Sequence, residues 1–432
     1  MTRSVSRRQF LAGASALAAA PAFLSAAPGR AKIRHAVIGC GGMGGADMNA
    51  IASHPDIQIV ALCDVDAKTL EGAAKKFPAA KTYRDFRKMF AEIASDIDTV
   101  NVGTPDHMHA AAAMSAMNRG KHVYCQKPLT HDVYESRKLA EVARQKKLVT
   151  QMGIQVHSSR EYRLAVKVVQ DGAIGKVKEV HSWSSKKWGF DGARPEGEDP
   201  VPATLDWDLW LGTAPFRPYK KGLYHTANWR KWTDFGCGTM GDMSIHILDP
   251  IAGALQLTQP KTILSESEPP PPESFATKNI VKYVFPGTKF TVDPFPLTWY
   301  DGDAMPSTKG WPIEKLPDQG SMFVGEKGFI LLPHVAPPQV LLPDSSKYAL
   351  PDVKGDNHWH QWVNAVKGEG ATSANFDYAG PLTEFVLLGV VANRVPGKLL
   401  TWNAADLKLE GSPEASALLK RTYRKGWEVE NL

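Results

Sequence analysis

The sequence predicts an α/β protein of two domains, a doubly wound parallel sheet followed by an α+β domain with a large, open, mostly antiparallel sheet. Apolar segments alternate with helical segments from Arg34 to about Leu148, as parallel strands joined by crossover helices do. After about Met152, longer and more polar segments appear, with many tryptophans and a proline-rich loop at residues 269–272. The 432 residues also exceed what one core usually covers.

In the first domain, residues 32–152, the elements follow from short apolar runs and helical periodicity. Strands are predicted at 35–39, 57–63, 99–103 and 122–125. Helices are predicted at 48–53, 67–76, 110–118 and 132–146. Their alternation indicates a single parallel sheet covered by helices.

In the second domain, residues 153–432, alternating apolar positions predict the strands of one large sheet. These strands are expected at 177–183, 262–267, 280–285, 289–293 and 328–332. Two late helices, at 358–366 and 382–393, should pack back on the body of the protein.

The first 31 residues are typical of a targeting signal. Residues 6–11, SRRQFL, form a twin-arginine motif, and a mildly apolar, alanine-rich stretch at 11–24 follows it. We therefore expect export to the periplasm or another compartment outside the cytoplasm. The alternative is a disordered tail that carries two arginines by chance.

Composition narrows the class of protein further. Hydrophobic residues make up 43% and charged residues 22%, which is ordinary for a globular protein. No apolar run is long enough to predict a membrane span. The net charge of +6 is dispersed, and Arg3, Arg7 and Arg8 lie in the targeting segment, so no nucleic-acid partner is expected. The four cysteines fit neither a disulfide framework nor a metal site, and no metal is expected.

A glycine-rich motif between the first strand and the first helix predicts a dinucleotide site. The motif is G-x-G-x-x-G, and its candidate ligand residues are Gly39, Gly41, Gly42, Met43 and Gly44. Glycines in this position let backbone N–H groups approach a pyrophosphate, which the helix N-terminus stabilises. Asp64 ends the second strand, where a carboxylate binds ribose hydroxyls and favours NAD over NADP. The alternative is a glycine turn that holds no ligand.

Two further strand ends should contribute to the same crevice. Thr104 and Pro105 follow the third predicted strand and His109 lies nearby, so all three are candidate cofactor contacts. His107 and His109 are more consistent with solvated or capping side chains than with metal ligands. Gln126 and Lys127 end the fourth strand, where a lysine faces the nicotinamide and can stabilise a developing alkoxide.

A third group of polar residues suits proton transfer. Asp242 and His246 are four residues apart, so on a helix they lie on the same face. A carboxylate beside an imidazole raises its basicity and fixes its orientation, as a general base requires. On spacing alone, an Asp/His pair on a helix surface is the commoner explanation.

Taken together, these motifs resemble the Gfo/Idh/MocA oxidoreductases. The resemblance covers the glycine motif, Thr104-Pro105 with His109, the QKP at 126–128, the Asp242/His246 pair and the segment 382–402. It implies Lys127, Asp242 and His246 as the catalytic triad. It also implies a homo-oligomer formed through the open sheet of the second domain.

The chain departs from the family pattern at two places. Family members usually carry Glu-Lys-Pro, whereas Gln126 is neutral, so tuning of Lys127 by a carboxylate at that position is in doubt. Residues 151–158 resemble an exported branch, but Ile154 and Val156 replace more polar or smaller residues. Substrate contacts from Gln155 and His157 in this segment are therefore expected to differ.

Aromatic residues between the catalytic motifs indicate a carbohydrate substrate. Aromatic rings stack on the C–H faces of sugars, and guanidinium groups bind their polar substituents. The candidate contacts are Trp188, Tyr224, Trp229 and Arg230. Packing in the core explains any one of the three aromatic residues equally well.

Three functions remain open from the sequence. The first is transfer of hydride between a sugar or polyol hydroxyl and a tightly bound NAD(P), recycled by a second substrate. The second is a glycoside hydrolase or lyase that oxidises its substrate transiently and needs an extra base, for which His157 or Tyr224 are candidates. The third is a sugar-sensing module without catalysis, against which the Lys127, Asp242 and His246 set argues.

Overall fold

The structure, a computed structural model, describes residues 32–432. The predicted export signal therefore lies outside the described residues. Within them the chain forms two sheets, the first parallel and the second mixed but mostly antiparallel, which confirms the predicted fold class.

The first sheet has six parallel strands in the order β3-β2-β1-β4-β5-β6. Its strands are β1 (Ile33–Ile38), β2 (Ile57–Cys63), β3 (Lys81–Tyr83), β4 (Thr99–Val102), β5 (His122–Gln126) and β6 (Thr150–Gly153). The four predicted strands are all present, and β3 and β6 are additional. Both additions are short and lie at the edges of the sheet. β3 is largely exposed and polar, so it lacks the apolar signal that marks a buried parallel strand.

Helices cover this sheet. They are α1 (Gly42–Ala52), α2 (Ala67–Lys76), α3 (Phe86–Ile93), α4 (Asp106–Asn118) and α5 (Val133–Gln145). α1 and α4 begin earlier than predicted, directly after the glycine motif and after Pro105, because both helices start at the loops that form the crevice. Asp132 caps α5 in a capping box with Glu135.

The second sheet has nine strands in the order β13-β12-β11-β7-β10-β9-β8-β14-β15. Only β7 and β10 pair in parallel. The strands are β7 (Val177–Ser184), β8 (Thr262–Ser265), β9 (Asn279–Phe285), β10 (Phe295–Asp301), β11 (Gln319–Gly325), β12 (Phe329–Pro333), β13 (Gln339–Leu341), β14 (Leu400–Asn403) and β15 (Lys408–Glu410).

The predicted strand at 289–293 is wrong. This segment is a turn, and the strand begins two residues later at Phe295. The N–H of Thr288 donates to the Thr291 hydroxyl, and the N–H of Gly287 donates to Asp293. Side chains that bond to nearby backbone in this way compete with pairing in a sheet.

The helices of the second domain are α6 (Arg160–Gln170), α7 (Trp207–Leu211), α8 (Gly238–Leu255), α9 (His358–Val366), α10 (Phe376–Arg394) and α11 (Pro413–Ser416). Every residue of α8 except Gly253 is buried. A helix that is buried on all sides packs in the interior, and α8 lies against α6, α10 and β7. It carries both Asp242 and His246, so the helical spacing predicted for this pair is confirmed.

The late helices pack back on the first domain, as predicted. Trp362 and Val363 of α9 share a buried apolar cluster with Val37, Met48 and Tyr124 of the first domain. The outer layer of the first domain is therefore completed by residues from the far end of the chain.

Two negative results apply to residues 32–432. No helix there is both long and apolar enough to cross a membrane. No cluster of three or more His, Cys, Asp or Glu side chains is arranged to hold a metal ion there. All four cysteines are buried and unpaired.

Helices α5 and α10 pack together and are joined by two ion pairs of different burial. Arg137 forms a bidentate pair with Glu384, at 2.6 and 2.7 Å, and the Glu384 side chain is 2% exposed. Arg144 pairs with Asp377 at 2.7 Å, but both side chains are more than half exposed. The two pairs join the same helices, so their contributions to stability can be compared directly.

We predict that Arg137→Met lowers the free energy of unfolding by about 3 kcal/mol, because it leaves the buried Glu384 carboxylate without its partner. Arg144→Met should cost less than about 1 kcal/mol, because solvent replaces an exposed pair. Urea denaturation at pH 7 measures both. Equal losses in the two variants would contradict this assignment, and Glu384→Gln added to Arg137→Met should recover part of the loss.

Candidate active site

The glycine motif forms a tight turn between β1 and α1. Gly39 and Gly42 have positive φ angles of 87° and 50°, which side chains other than glycine rarely adopt. A Cβ on Gly44 would lie 2.2 Å from the Gly39 carbonyl oxygen and 2.9 Å from that of Gly103. Gly44, the third glycine of the motif, therefore lets α1 approach β1 and β4. Gly39 and Gly42 shape the turn that faces the crevice.

A cavity of about 590 Å³ opens at the carboxyl ends of the parallel strands. All the predicted cofactor residues except Gly44 line it, as do two of the predicted substrate residues. The lining residues from the prediction are Gly39, Gly41, Gly42, Met43, Asp64, Thr104, Pro105, His109, Gln126, Lys127, Trp229 and Arg230. The structure thus brings together residues from four strand ends and from the second domain.

Asp64 lies at the bottom of the glycine turn. Its carboxylate accepts hydrogen bonds from the N–H groups of Cys40 and Asp66, both at 2.8 Å. Burial raises the pKa of Asp64, and these two donors oppose that shift. Arg84 lines the same end of the cavity and donates to the carbonyl oxygens of Val65 and Thr204. Sequence reasoning missed Arg84, whose only signal is its place directly after β3.

The geometry fits a dinucleotide. The N-terminus of α1 faces the cavity, and a Cβ on Gly42 would meet no atom within 4 Å, so the turn leaves open space for a phosphate. The buried hydroxyl of Thr104 has no hydrogen-bond partner among the described residues, and it lines the same cavity. A bound cofactor can supply that partner.

His107 and His109 are buried rather than solvated, and the ring nitrogens of both lie at hydrogen-bond distance from backbone carbonyl oxygens. His109 lies 2.8 Å from the Pro128 carbonyl oxygen through Nδ1 and 2.9 Å from that of Thr104 through Nε2. Burial lowers its pKa to about 4. His109 therefore bridges the loop after β4 and the loop that carries Lys127.

Gln126, which replaces the usual glutamate, is itself bound to a carboxylate. Its side-chain amide donates to Asp47 at 2.8 Å, and the indole N–H of Trp359 donates to the other Asp47 oxygen at 2.8 Å. Burial raises the pKa of Asp47 to about 6. The nearby carboxylate is therefore that of Asp47 on α1, which contacts Gln126 rather than Lys127.

Asp242 forms the centre of an ionic cluster with Lys127 and Arg230. The Lys127 ammonium donates to the Asp242 carboxylate at 2.6 Å and to its carbonyl oxygen at 3.1 Å. The Arg230 guanidinium donates to the same carboxylate oxygen at 3.1 Å. Burial alone would raise the pKa of Asp242, but Lys127 and Arg230 outweigh it and hold the pKa well below its ordinary value. Asp242 is therefore ionised and binds both cations.

His246 lies one turn further along α8 and does not line the cavity. Its Nδ1 is buried without a hydrogen-bond partner among the described residues, and Lys127 and Arg230 both donate to the Oδ1 of Asp242. Burial, followed by the charge of Lys127, lowers the pKa of His246 well below its ordinary value. Asp242 does raise the pKa of His246, as expected, but burial and the charge of Lys127 outweigh this effect, so the imidazole is neutral.

The predicted substrate residues divide into two groups. Arg230 lies 4.2 Å from the centre of the Trp229 ring and 5.5 Å from that of Trp188, so these three side chains form one surface at the end of the cavity. Trp188 itself does not line the cavity. Tyr224 is 1% exposed, packs in an aromatic cluster and accepts a hydrogen bond from Arg194, so the structure does not bring it to the site.

Gln155 and His157 also lie outside the lining of the cavity. His157 is 2.9 Å from the Asp249 carboxylate, which also accepts a hydrogen bond from Tyr378 at 2.6 Å. Burial would lower the pKa of His157, but Asp249 raises it. His157 thus belongs to a structural ion pair, and Gln155 is half-buried beside it in a short 3₁₀ turn.

Asp106 is a lining residue that sequence reasoning missed. It is the first residue of α4, is 3% exposed and lines the cavity next to Thr104 and Pro105. One oxygen of its carboxyl group has no partner among the described residues. Burial raises the pKa of Asp106 to about 7. Its position at the start of a helix after a strand was the only sequence signal.

Comparison with known proteins identifies both halves of the described chain. Residues 33–154 match the family model described as the oxidoreductase family, NAD-binding Rossmann fold. Residues 160–287 match the model of the C-terminal alpha/beta domain of the same family. Together the two matched ranges cover more than half of the chain.

Individual relatives are distant. The levoglucosan dehydrogenase of Pseudarthrobacter phenanthrenivorans is 25% identical over 41% of this chain and 37% of the relative. The inositol 2-dehydrogenase of Rubrobacter xylanophilus is 32% identical over 35% of this chain and 44% of the relative. The matches thus span less than half the length of these curated relatives.

The whole fold is shared with solved structures. The WlbA dehydrogenase from Chromobacterium violaceum, solved with NADH and UDP-GlcNAcA, superposes with a TM-score of 0.64 and 16% identity. The superposition covers 87% of this chain and 97% of that one. At this identity the likeness concerns the fold.

We predict that the stability of the protein without ligand depends on the ionisation of Asp106. Because burial raises its pKa from 3.8 to about 7, the unfolded chain loses this proton at a lower pH than the folded chain. The free energy of unfolding should therefore fall as pH rises between about 4 and 7. At pH 8, Asp106→Asn should be more stable than the parent by on the order of a few kcal/mol.

Urea denaturation of both proteins from pH 4.5 to pH 8 measures this difference. Near pH 4.5 the two proteins should differ by less than about 1 kcal/mol. Asp377→Asn, which alters an exposed carboxylate, is the control. A difference that stays constant over the whole pH range would rule out the assignment to Asp106.

Proposed function

The chain belongs to the Gfo/Idh/MocA family of oxidoreductases, and from that premise we propose that it transfers hydride between a sugar or polyol hydroxyl and a tightly bound NAD. One observation carries the proposal. At the end of the predicted cofactor cavity, Lys127 is held by a buried carboxylate from the second domain, one helical turn from His246. A cation and a neutral imidazole thus adjoin the place where a reacting hydroxyl must lie.

NAD fits the cavity through the glycine turn, Asp64 and the loops that carry Thr104 and Gln126. When bound, the nicotinamide supplies the hydride acceptor or donor. Asp64 favours NAD because its carboxylate accepts hydrogen bonds from ribose hydroxyls and repels a 2′-phosphate. Arg84 at the same end of the cavity is the one lining cation that opposes this preference.

The chemistry proposed for the chain's own residues follows from their charge states. Lys127 donates a hydrogen bond to the substrate oxygen and stabilises its negative charge as the hydroxyl proton leaves. His246 is neutral and accepts that proton. Asp242 positions Lys127 through the contact of 2.6 Å and remains ionised.

The proposed substrate is a carbohydrate. Relatives named levoglucosan dehydrogenase and inositol 2-dehydrogenase support a polyhydroxylated ring. The indole of Trp229, which lines the cavity beside Arg230, supplies an apolar surface for such a ring. In the alternative hydrolase or lyase, neither expected base lies at the cavity, because His157 is outside its lining and Tyr224 is buried in an aromatic cluster.

We also propose a location and an assembly. The motif SRRQFL at residues 6–11 supports export by the twin-arginine route, which carries folded proteins with their cofactors. A compartment without free NAD favours a cofactor that stays bound and is recycled by a second substrate. The open nine-stranded sheet is the proposed surface for a homo-oligomer.

The first experiment is an absorbance and fluorescence spectrum of the purified protein with a panel of free sugars, polyols and aryl glycosides. Bound nicotinamide whose 340 nm band rises with a sugar supports the proposal, and the sugar that bleaches it again is the second substrate. Release of an aglycone without a lasting band favours the hydrolase. If no nicotinamide is bound and none can be loaded, the proposal fails.

We predict that Lys127→Met lowers kcat by about 10²–10⁴-fold, because it removes the group that stabilises the developing alkoxide. Binding of NAD, followed by quenching of tryptophan fluorescence, should change by less than about tenfold, since a single net hydrogen bond contributes about 1 kcal/mol. Lys187→Met is the matched control. Lys187 directly precedes Trp188 in the sequence, but its ammonium pairs with Asp303 at the surface. Full turnover by Lys127→Met would show that Lys127 is not part of the catalytic machinery.

We predict that Asp64→Ser weakens NAD binding by about tenfold or more, because it removes charged hydrogen bonds to the ribose. The ratio of the NADP to the NAD dissociation constant should fall in the same variant. Asp66→Ser is the control, because serine preserves the cap that Asp66 provides to α2. An unchanged ratio in Asp64→Ser would show that Asp64 does not select the cofactor.

A further inference from the structure

A second imidazole stands beside His246 and was not identified from the sequence. His334 lies in the loop after β12, and the centres of the two rings are 5.9 Å apart at an interplanar angle of 45°. Burial, followed by the charges of Lys127 and Lys186, lowers the pKa of His334 to about 4. His334 is therefore neutral and lies within the electrostatic reach of Lys127.

His334 is held in one orientation by its neighbours. Its Nδ1 is 2.6 Å from the hydroxyl of Tyr162, a buried residue of α6. The next residue, Val335, has a positive φ angle of 60°, which β-branched residues rarely adopt, and its side chain is 53% exposed. Backbone in such a conformation persists only where the surroundings require it. The loop thus presents the imidazole at a cost in local conformation.

The Nε2 atom of His334 makes no hydrogen bond within residues 32–432, and the side chain is only partly buried. A similar pair elsewhere in the chain differs in this respect. His181 bonds the Tyr300 hydroxyl through Nδ1 at 3.1 Å, but its Nε2 lies 3.5 Å from Glu179. His181 thus uses both ring nitrogens, whereas His334, beside the proposed base His246, leaves its Nε2 without a partner among the described residues.

We propose that Nε2 of His334 binds the substrate hydroxyl next to the reacting one, so that His246 and His334 together recognise a vicinal diol. This inference rests on the proposed function. A ring nitrogen binds an oxygen at about 2.9 Å. Because the His246 and His334 rings are 5.9 Å apart, they bind neighbouring oxygens of one ligand rather than two separate ligands. A hydroxyl both donates and accepts, and therefore suits either tautomer of His334.

The consequence for specificity is direct. A site built to bind a hydroxyl rejects the analogue without it, because its polar groups are then left unpaired. Substrates that lack the hydroxyl beside the oxidised carbon should be poor, although the reacting hydroxyl is present. Tyr162 acts as a positioning residue, because it holds the His334 ring without reaching the substrate.

The test compares a parent diol with its monodeoxy analogues. The probes are myo-inositol, levoglucosan and the monodeoxy form of each, assayed with the protein in its cofactor-bound form at 340 nm. The parent protein should prefer the diol over the analogue that lacks the neighbouring hydroxyl by at least tenfold in kcat/KM. His334→Phe keeps the size of the ring but removes both nitrogens. It should lose about tenfold on the diol and less than threefold on the analogue.

A binding measurement accompanies the kinetics. The ¹⁵N resonance of the His334 Nε2, assigned by its loss in His334→Phe, should shift when either diol is added and stay unchanged with the analogue. His181→Phe is the matched control for a tyrosine-bound histidine, and should leave both readouts unaltered. Should His334→Phe fail to fold by circular dichroism, Tyr162→Phe replaces it, with a smaller loss of the same selectivity.

The outcomes separate the two proposals. If His334→Phe oxidises diol and analogue with the parent's preference, or loses the same factor on both, the diol inference is overturned and the proposed function stands. If neither sugar is oxidised but the His334 resonance shifts with the diols alone, the inference stands and the proposed function fails. Absence of both oxidation and shift overturns both.

Discussion

The contact between Lys127 and Asp242 is the constraint on which the rest of the site depends. It joins the loop after the fifth strand of the parallel sheet to the central helix of the second domain, through a buried ion pair of 2.6 Å. Removing both charges from water is costly, so the pair persists because Arg230 and a backbone carbonyl complete its hydrogen bonds. Because the ion pair joins a residue of each domain, it holds the polar surfaces of the two domains in register. A cofactor cavity in one domain and a pair of histidines in the other are thereby kept adjacent.

Burial sets the charge of each titratable group around that contact. Asp242 is ionised because two cations outweigh its desolvation. His246 and His334 are neutral because burial and the nearby ammonium lower their pKa values, and the opposing effect of Asp242 on His246 is too small to reverse this. Burial also raises the pKa values of Asp47 and Asp106, because neither carboxylate is paired with a cation. One region thus contains two cations, an anion and two neutral imidazoles, which include the charge states that proton transfer to and from an alcohol requires.

The features that the sequence predicted correctly are those with a local physical signal. Ile57–Cys63 and Ala67–Lys76 were predicted to the residue, because a buried parallel strand is continuously apolar and a capped amphipathic helix is periodic. The segment 289–293 was mistaken for a strand because its residues suit either state, and turn hydrogen bonds decide between them. Asp106 carries only one local signal, its place at the start of a helix after a strand, and His334 carries none. Their roles arise from contacts between elements that are distant in the chain, as the approach of His334 to His246 shows.

The packing of α9 on the first domain has a consequence for biosynthesis. Trp362 and Val363 fill the layer over Val37 and Met48, so the hydrophobic core of the first domain lacks part of its wall until residues 358–366 have left the ribosome. Contacts of such long sequence separation form late and slow folding. The nascent first domain therefore exposes apolar surface during most of translation, and chaperones have a defined patch to shield. The hydrogen bond from the Trp359 indole to Asp47, on the helix that follows the glycine turn, likewise forms only at that stage.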